Sequence, residues 1–127
     1  MVGFLIVTHT AIAEEMVEAV RQIIKEKPHL EFINLDSDRP AAESQQQIRE
    51  ALLRLGQKNG VIILTDLLGA TPSNICRDFC VPQKIEMITG CNLPMVLKAA
   101  TMSFKEDVTT VTQFLKNYGC ENIRTYP

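Results

Sequence analysis

The sequence has no tryptophan, two tyrosines, five phenylalanines and two histidines among 127 residues. It also lacks a cationic surplus: 13 Lys and Arg stand against 15 Asp and Glu, a formal charge of -2. Nucleic-acid binding needs Lys and Arg gathered on one face with stacking aromatics between them, so DNA and RNA are excluded as expected partners. Long apolar runs are missing too. Val2 to Val7 falls far short of the roughly 20 residues that cross a bilayer, and it has neither a basic leader region nor a small-residue cleavage site. That run reads as a strand, and the chain is expected to be cytoplasmic with no direct membrane insertion. No glycine stands ahead of a Lys-Ser or Lys-Thr pair and no dinucleotide fingerprint occurs, so no nucleotide cofactor is expected.

What is present suits a globular protein. The chain is 46% hydrophobic and 22% charged with six glycines and six prolines, a composition able to bury a core, and its length predicts a single domain over 1–127. Four cysteines (Cys76, Cys80, Cys91, Cys120) without a secretory signal read as reduced core thiols. Cys76 and Cys80 could offer two metal ligands from one helix, but no further ligand lies at a matching spacing, so no metal site is expected.

Phe4 to Val7, after Gly3, is a short unalternated apolar run of the kind buried on both faces of a sheet, and it ends in Thr8 and His9. Ile12, Met16, Val17, Val20, Ile23 and Ile24 then recur at helical spacing over about four turns. Leu30 to Leu35 reads as a second strand and Ala41 to Leu55 as a second helix, with Gly56 to end it. Val61 to Leu64 is a third strand closing on Thr65 and Asp66. Thr71 and Pro72 look like a cap and first position of a helix carrying Ile75, Cys76 and Phe79 inward. Lys84 to Thr89 follows as a fourth strand, and Asn92 then caps a short helix. Ser103 and Glu106 have capping-box spacing for a last helix from Phe104 to about Asn117, with Gly119 as its terminator. Ile123 to Tyr126 reads as a short final strand. This alternation predicts an α/β fold: a mainly parallel, doubly wound sheet flanked by helices, with the last strand at its edge.

In such sheets, ligands meet loops at the carboxyl ends of strands. His29 follows Pro28 in a polar turn and reads as a solvated surface residue. His9 instead ends a buried strand, and Asp66 ends another that can lie beside it. A carboxylate bonded to one ring nitrogen fixes the tautomer and leaves the other nitrogen as nucleophile or base; the plainer alternative for Asp66 is a turn residue. Gly69 to Asn74 opens a helix with free amides and the hydroxyls of Thr71 and Ser73, an arrangement suited to a phosphoryl group. An imidazole beside an anion cradle, without nucleotide machinery, implies phosphate that arrives already activated on another protein.

The stretches F-L-I-V-T-H (Phe4 to His9), G-V-I-I-L-T-D-L-L-G-A-T-P-S-N (Gly60 to Asn74) and I-T-G-C-N-L-P-M (Ile88 to Met95) resemble the mannose-family EIIA domain of the bacterial phosphoenolpyruvate-dependent sugar phosphotransferase system. The resemblance covers almost the whole chain. It implies a phosphotransferase component in which His9 accepts phosphate from the phosphohistidine of HPr and passes it to an EIIB partner. It further implies that Asp66 orients His9, that Gly69 and Thr71 to Ser73 help hold the phosphate, and that a C-terminal antiparallel strand is contributed across a homodimer, a role Ile123 to Tyr126 fits. The family often has glycine after the histidine and a Gly-Gly-Ser-Pro turn. Here Thr10, Ala70 and Thr71 stand at those places; Thr71 keeps a hydroxyl, while Thr10 and Ala70 are expected to adopt tamer backbone angles than glycine. The sequence ends at Pro127, so the EIIB acceptor is expected to be a separate protein. A regulatory module, whose His9 phosphorylation controls partner proteins without sugar transport, is the alternative reading. The phosphocarrier subunit of dihydroxyacetone kinase fits less well, because the turn after Asp66 matches the mannose type better.

Overall fold

The structure is a computed structural model describing residues 1–56 and 58–127. Four strands, β1 (Gly3–His9), β2 (Glu31–Leu35), β3 (Val61–Thr65) and β4 (Ile85–Ile88), alternate with helices α1 (Ile12–Ile24), α2 (Ala41–Leu55), α3 (Thr71–Arg77), α4 (Leu93–Thr101) and α5 (Val108–Glu121). All strand pairs are parallel, in the order β2-β1-β3-β4.

Every residue of β3 is buried because the strand lies between β1 and β4 with helices on both faces. That placement explains its unbroken apolar run. Ile62 and Leu64 join Phe4, Ile6 and Ile88 in a core with Val20 of α1, Val96 of α4 and Leu115 of α5. Val61 and Ile63 face the other way with Leu5, Val7 and Ile33, against Ile48 and Leu52 of α2 and Cys76 of α3. The sheet is thus doubly wound. All four cysteines are free thiols.

The chain leaves β1 toward β2 on one side and reaches β3 on the other, so the crevice for a ligand opens between β1 and β3 at their carboxyl ends. The register sets Val7 opposite Thr65, and His9 and Asp66 therefore leave the sheet as neighbours.

Three boundaries differ from the sequence expectation. The last helix begins at Val108, and its cap is Asp107, whose side chain accepts from the Thr110 N–H at 2.8 Å. Ser103 Oγ instead meets Met1 Sδ, and Glu106 accepts from the Lys105 N–H. Gly119 lies inside this helix rather than ending it. Its missing side chain makes room for α4, since a Cβ there would stand 2.6 Å from Met95 Cε. Ile123 to Tyr126 forms no strand within the chain; these residues are exposed.

Candidate functional site

The geometry begins with the last residues of β1. Thr8 is buried, and its hydroxyl accepts from the Ala13 N–H at 2.7 Å, capping α1 from within the strand before it. In the sequence Thr8 reads only as the end of a strand, and no local pattern there announces this cap. Thr10 follows His9 with φ +47°, and its N–H donates to Leu35 O at 3.1 Å. The expectation of tamer angles fails at Thr10, which keeps the left-handed turn, and holds at Ala70, which is extended at φ -90°, ψ 172°.

Held between these two residues, His9 points its ring at Asp66. Asp66 Oδ2 accepts twice from His9: from Nδ1 at 2.8 Å and from the backbone N–H at 3.1 Å. An ionised carboxylate only accepts, so Nδ1 carries a proton, and in the neutral imidazole Nε2 is then the nitrogen with the lone pair. The His9 side chain is 39% exposed while that of Asp66 is 15% exposed, so solvent reaches the imidazole more readily than the group that orients it. Asp66 Oδ1 and the neighbouring Thr65 Oγ1 are buried with no hydrogen-bond partner among the described residues. The arrangement fixes the ring at the sheet edge and leaves Nε2 as the nitrogen not engaged by Asp66.

The turn before α3 is less open than its residue types suggested. Ala70, not Thr71, holds the cap position, and Thr71 and Pro72 are the first two helical residues. Ser73 is buried; its hydroxyl accepts from the Gly69 N–H at 3.0 Å and donates to Ala70 O at 3.0 Å. Gly69 takes φ +82° in this turn, a conformation glycine adopts without strain. Among the described residues no hydrogen bond joins Gly69, Thr71 or Ser73 to His9 or Asp66, so the structure brings together the first pair of site residues and leaves this trio beside it.

The loop after β4 closes the third side. Cys91 donates its N–H to Thr65 O at 3.0 Å, and burial followed by the charge of Asp66 pushes its thiol up to about 11. Asn92 caps α4 as its sequence position predicted, accepting from the Met95 N–H and donating to Gly119 O. His29 is exposed in its turn. Among the described residues no group of three or more His, Cys, Asp or Glu side chains could hold a metal ion, and no helix is long and apolar enough to cross a membrane.

A doubly wound sheet that presents a carboxylate-oriented histidine at its switch point defines a protein able to carry a group on an imidazole. Residues 3–116 match the EIIA-man family, described as the PTS system fructose IIA component, and the chain belongs to that family. It is 24% identical over 107 residues to the PTS system mannose-specific EIIAB component of Escherichia coli, covering 84% of this chain and 32% of that one. The chain therefore spans about a third of that relative's length. A 59-residue match, 30% identical, links it to the PTS system fructose-specific EIIA component of Bacillus subtilis, over 46% of this chain and 40% of that protein. The mannose/sorbose-specific IIA subunit from Enterococcus faecalis superposes with a TM-score of 0.87 at 23% identity, covering 98% of this chain and 94% of that one. The EIIA component from Streptococcus agalactiae superposes at 0.85 with 21% identity, covering 98% and 97%. At these identities the superpositions establish the fold.

Proposed function

We propose that this protein is a cytoplasmic phosphocarrier, a phosphotransferase acting as one domain, that accepts a phosphoryl group from phospho-HPr on His9 and passes it to an EIIB component of a sugar phosphotransferase system. The observation that carries this reading is the hydrogen bond of His9 Nδ1 to Asp66 at 2.8 Å, which leaves Nε2 free on a solvent-reachable ring. Nε2 attacks the donor's phosphorus; a new N–P bond forms as the donor's N–P bond breaks and its imidazole leaves with the electron pair. Asp66 steadies the cationic ring of the phosphorylated state. Gly69 and Thr71 lie where the phosphoryl oxygens collect, and Ser73 holds the turn that presents them. A second copy completes the edge of the sheet through Ile123 to Tyr126.

The test is incubation with HPr, its upstream kinase and phosphoenolpyruvate, followed by mapping of acid-labile phosphate. All label is expected on His9, with none after His9→Ala and no change after His29→Ala. Label on His29, or label persisting in full without His9, overturns the assignment.

The second reading is a regulatory module using the same histidine. The fold accommodates it: a sigma-54 interaction domain protein from Enterococcus faecalis shares this fold, with TM-score 0.68 at 16% identity, covering 98% of this chain and 97% of that one. The two readings part at the acceptor: recovery of an EIIB and a permease on pull-down supports transport, and recovery of a kinase or transcription regulator alone supports regulation.

A further inference from the structure

We propose that a cavity at the amino end of the sheet binds a small organic phosphate monoester, an anion carried on a compact apolar body. The cavity has a volume of about 830 Å³, within the range of small-molecule sites, and lies where β3, β4 and α5 begin. His9 and Asp66 stand at the carboxyl end of the sheet, so this site is separate from theirs and does not depend on the phosphocarrier reading.

The charge of the lining identifies one half of the ligand. Three separate segments each bring a lysine to it: Lys58 from the turn before β3, Lys84 from the residue before β4, and Lys105 from the loop before α5. Among the described residues none of the three forms an ion pair. Lys84 is anchored through its backbone, its N–H donating to Val81 O at 3.0 Å and its carbonyl accepting from the Val61 N–H at 2.9 Å. Glu106 and Asp107 share the lining, but each commits an oxygen to a nearby backbone N–H, that of Lys105 at 3.1 Å and that of Thr110 at 2.8 Å. Gathered ammonium groups repel one another until an anion joins them. A phosphate monoester presents three acceptor oxygens and about two negative charges at one centre, which point charges on flexible stems can surround.

The remaining lining identifies the other half. Buried Phe104 and Val108 supply apolar wall, with exposed Met1 beside them. Gly60 lets that wall close, because a Cβ there would stand 2.7 Å from Val108 Cβ. Asn59 and Gln83 add amides that can bond the ester oxygen. Apolar wall with a few polar groups is the pattern of an organic ligand rather than a bare ion.

The experiment titrates isotopically labelled protein, followed by heteronuclear NMR, with phenyl phosphate, inorganic phosphate and benzyl alcohol. Phenyl phosphate should give saturable shifts centred on the backbone N–H groups of Lys58, Lys84, Lys105 and Val108, with a dissociation constant on the order of millimolar. Inorganic phosphate, lacking the ring, should bind about fivefold or more weakly, and benzyl alcohol should not saturate. Lys58→Gln, Lys84→Gln and Lys105→Gln should each weaken phenyl phosphate about two- to fivefold, the worth of a partly exposed ion pair, and the triple variant more than about tenfold. Lys84→Arg, which keeps the charge, should retain the affinity, and His9→Ala should leave it unchanged. Melting curves confirm that each variant is folded; should the triple variant fail to fold, the single ones decide by the same criteria. The absence of saturable shifts overturns the proposal, as do shifts confined to His9 and the turn before α3. Equal affinity for inorganic phosphate, or affinity untouched in the folded glutamine variants, overturns it as well.

Discussion

Asp66 and Thr10 act on the same imidazole by different means, one through a side chain and one through the backbone. Asp66→Asn keeps the shape at Oδ2 but removes the charge that we propose selects the tautomer and steadies the phosphorylated ring. Loss of an orienting carboxylate costs on the order of 10⁴ in hydrolytic triads; transfer between imidazoles needs less activation, so a fall of roughly ten- to a thousandfold in transfer rate is expected. Stability should change by no more than about 1 kcal/mol, because the bond lies at an open sheet edge. Transfer assays with matched melting curves check this. Equal rates would reduce Asp66 to a turn residue, and a collapse in melting temperature with proportionate loss of activity would make it structural. Thr10 presents the opposite balance. A β-branched residue at φ +47° carries about 1–2 kcal/mol of strain, while glycine adds about 0.5–1 kcal/mol of unfolded-state freedom. Thr10→Gly should therefore stabilise the fold by up to about 1 kcal/mol and leave transfer intact. A lower melting temperature would show that the turn is not strained. The pairing of His9 with Asp66 was legible because each closes an apolar run; the left-handed Thr10 was not, since nothing in a threonine announces the Leu35 carbonyl that pins its N–H from another strand.

At the scale of single elements, strands and helices were legible wherever burial imposed a pattern, as in the unbroken runs of β1 and β3 or the helical spacing in α1. Their ends were less so, because several local signals competed for each one. Ser103 and Glu106 have capping-box spacing, yet Asp107 caps α5, and its carboxylate bonds the Thr110 N–H. Gly119 looked like a terminator because glycine usually is one, while its actual service is the close approach of α4, a contact written in Met95 and Asn92 far along the chain. The cap carries a pH dependence. The backbone N–H of Thr110, then its hydroxyl, holds Asp107 below its ordinary 3.8. A depressed folded value means that the stabilisation is full above the unfolded value and lost as pH falls through the folded one. The melting-temperature advantage of wild type over Asp107→Ala should accordingly be constant near neutrality, at a few degrees, and shrink below about pH 4. Taking the difference between the two proteins cancels the other carboxylates. Asp107→Asn, an equally good cap without the charge, should keep its advantage over Asp107→Ala at every pH. An advantage of wild type that does not change with pH would show that the charge adds nothing to the cap.

For the whole molecule, the parallel sheet sets the chemistry at one end and leaves an unfinished boundary at one side. Three crossovers place His9, Asp66 and the turn before α3 at the same carboxyl edge, a convergence the order of strands alone predicts. The outer edge of β4, apart from one antiparallel bridge between Val81 and Ile85, is unpaired among the described residues. Exposed strand edges of this kind invite a partner strand. Beyond α5 the chain runs through Ile123, 75% exposed, to Tyr126, fully exposed, a β-branched residue and an aromatic that contribute little to their own core. A two-fold exchange in which each copy lays this segment antiparallel on the other's β4 would satisfy both edges at once. Because α5 continues to Glu121, a truncation that tests the exchange must stop after Asn122 and leave the helix intact. Light scattering should then show a dimer for the full chain and a monomer for the truncated one. Phosphorylation of His9 should persist in the shortened protein, since the residues that orient its ring all come from one copy. A dimer of unchanged mass after truncation would place the self-association elsewhere on the molecule. Loss of phosphorylation together with the dimer, in a protein that still melts cooperatively, would mean that the second copy completes the site as well as the sheet.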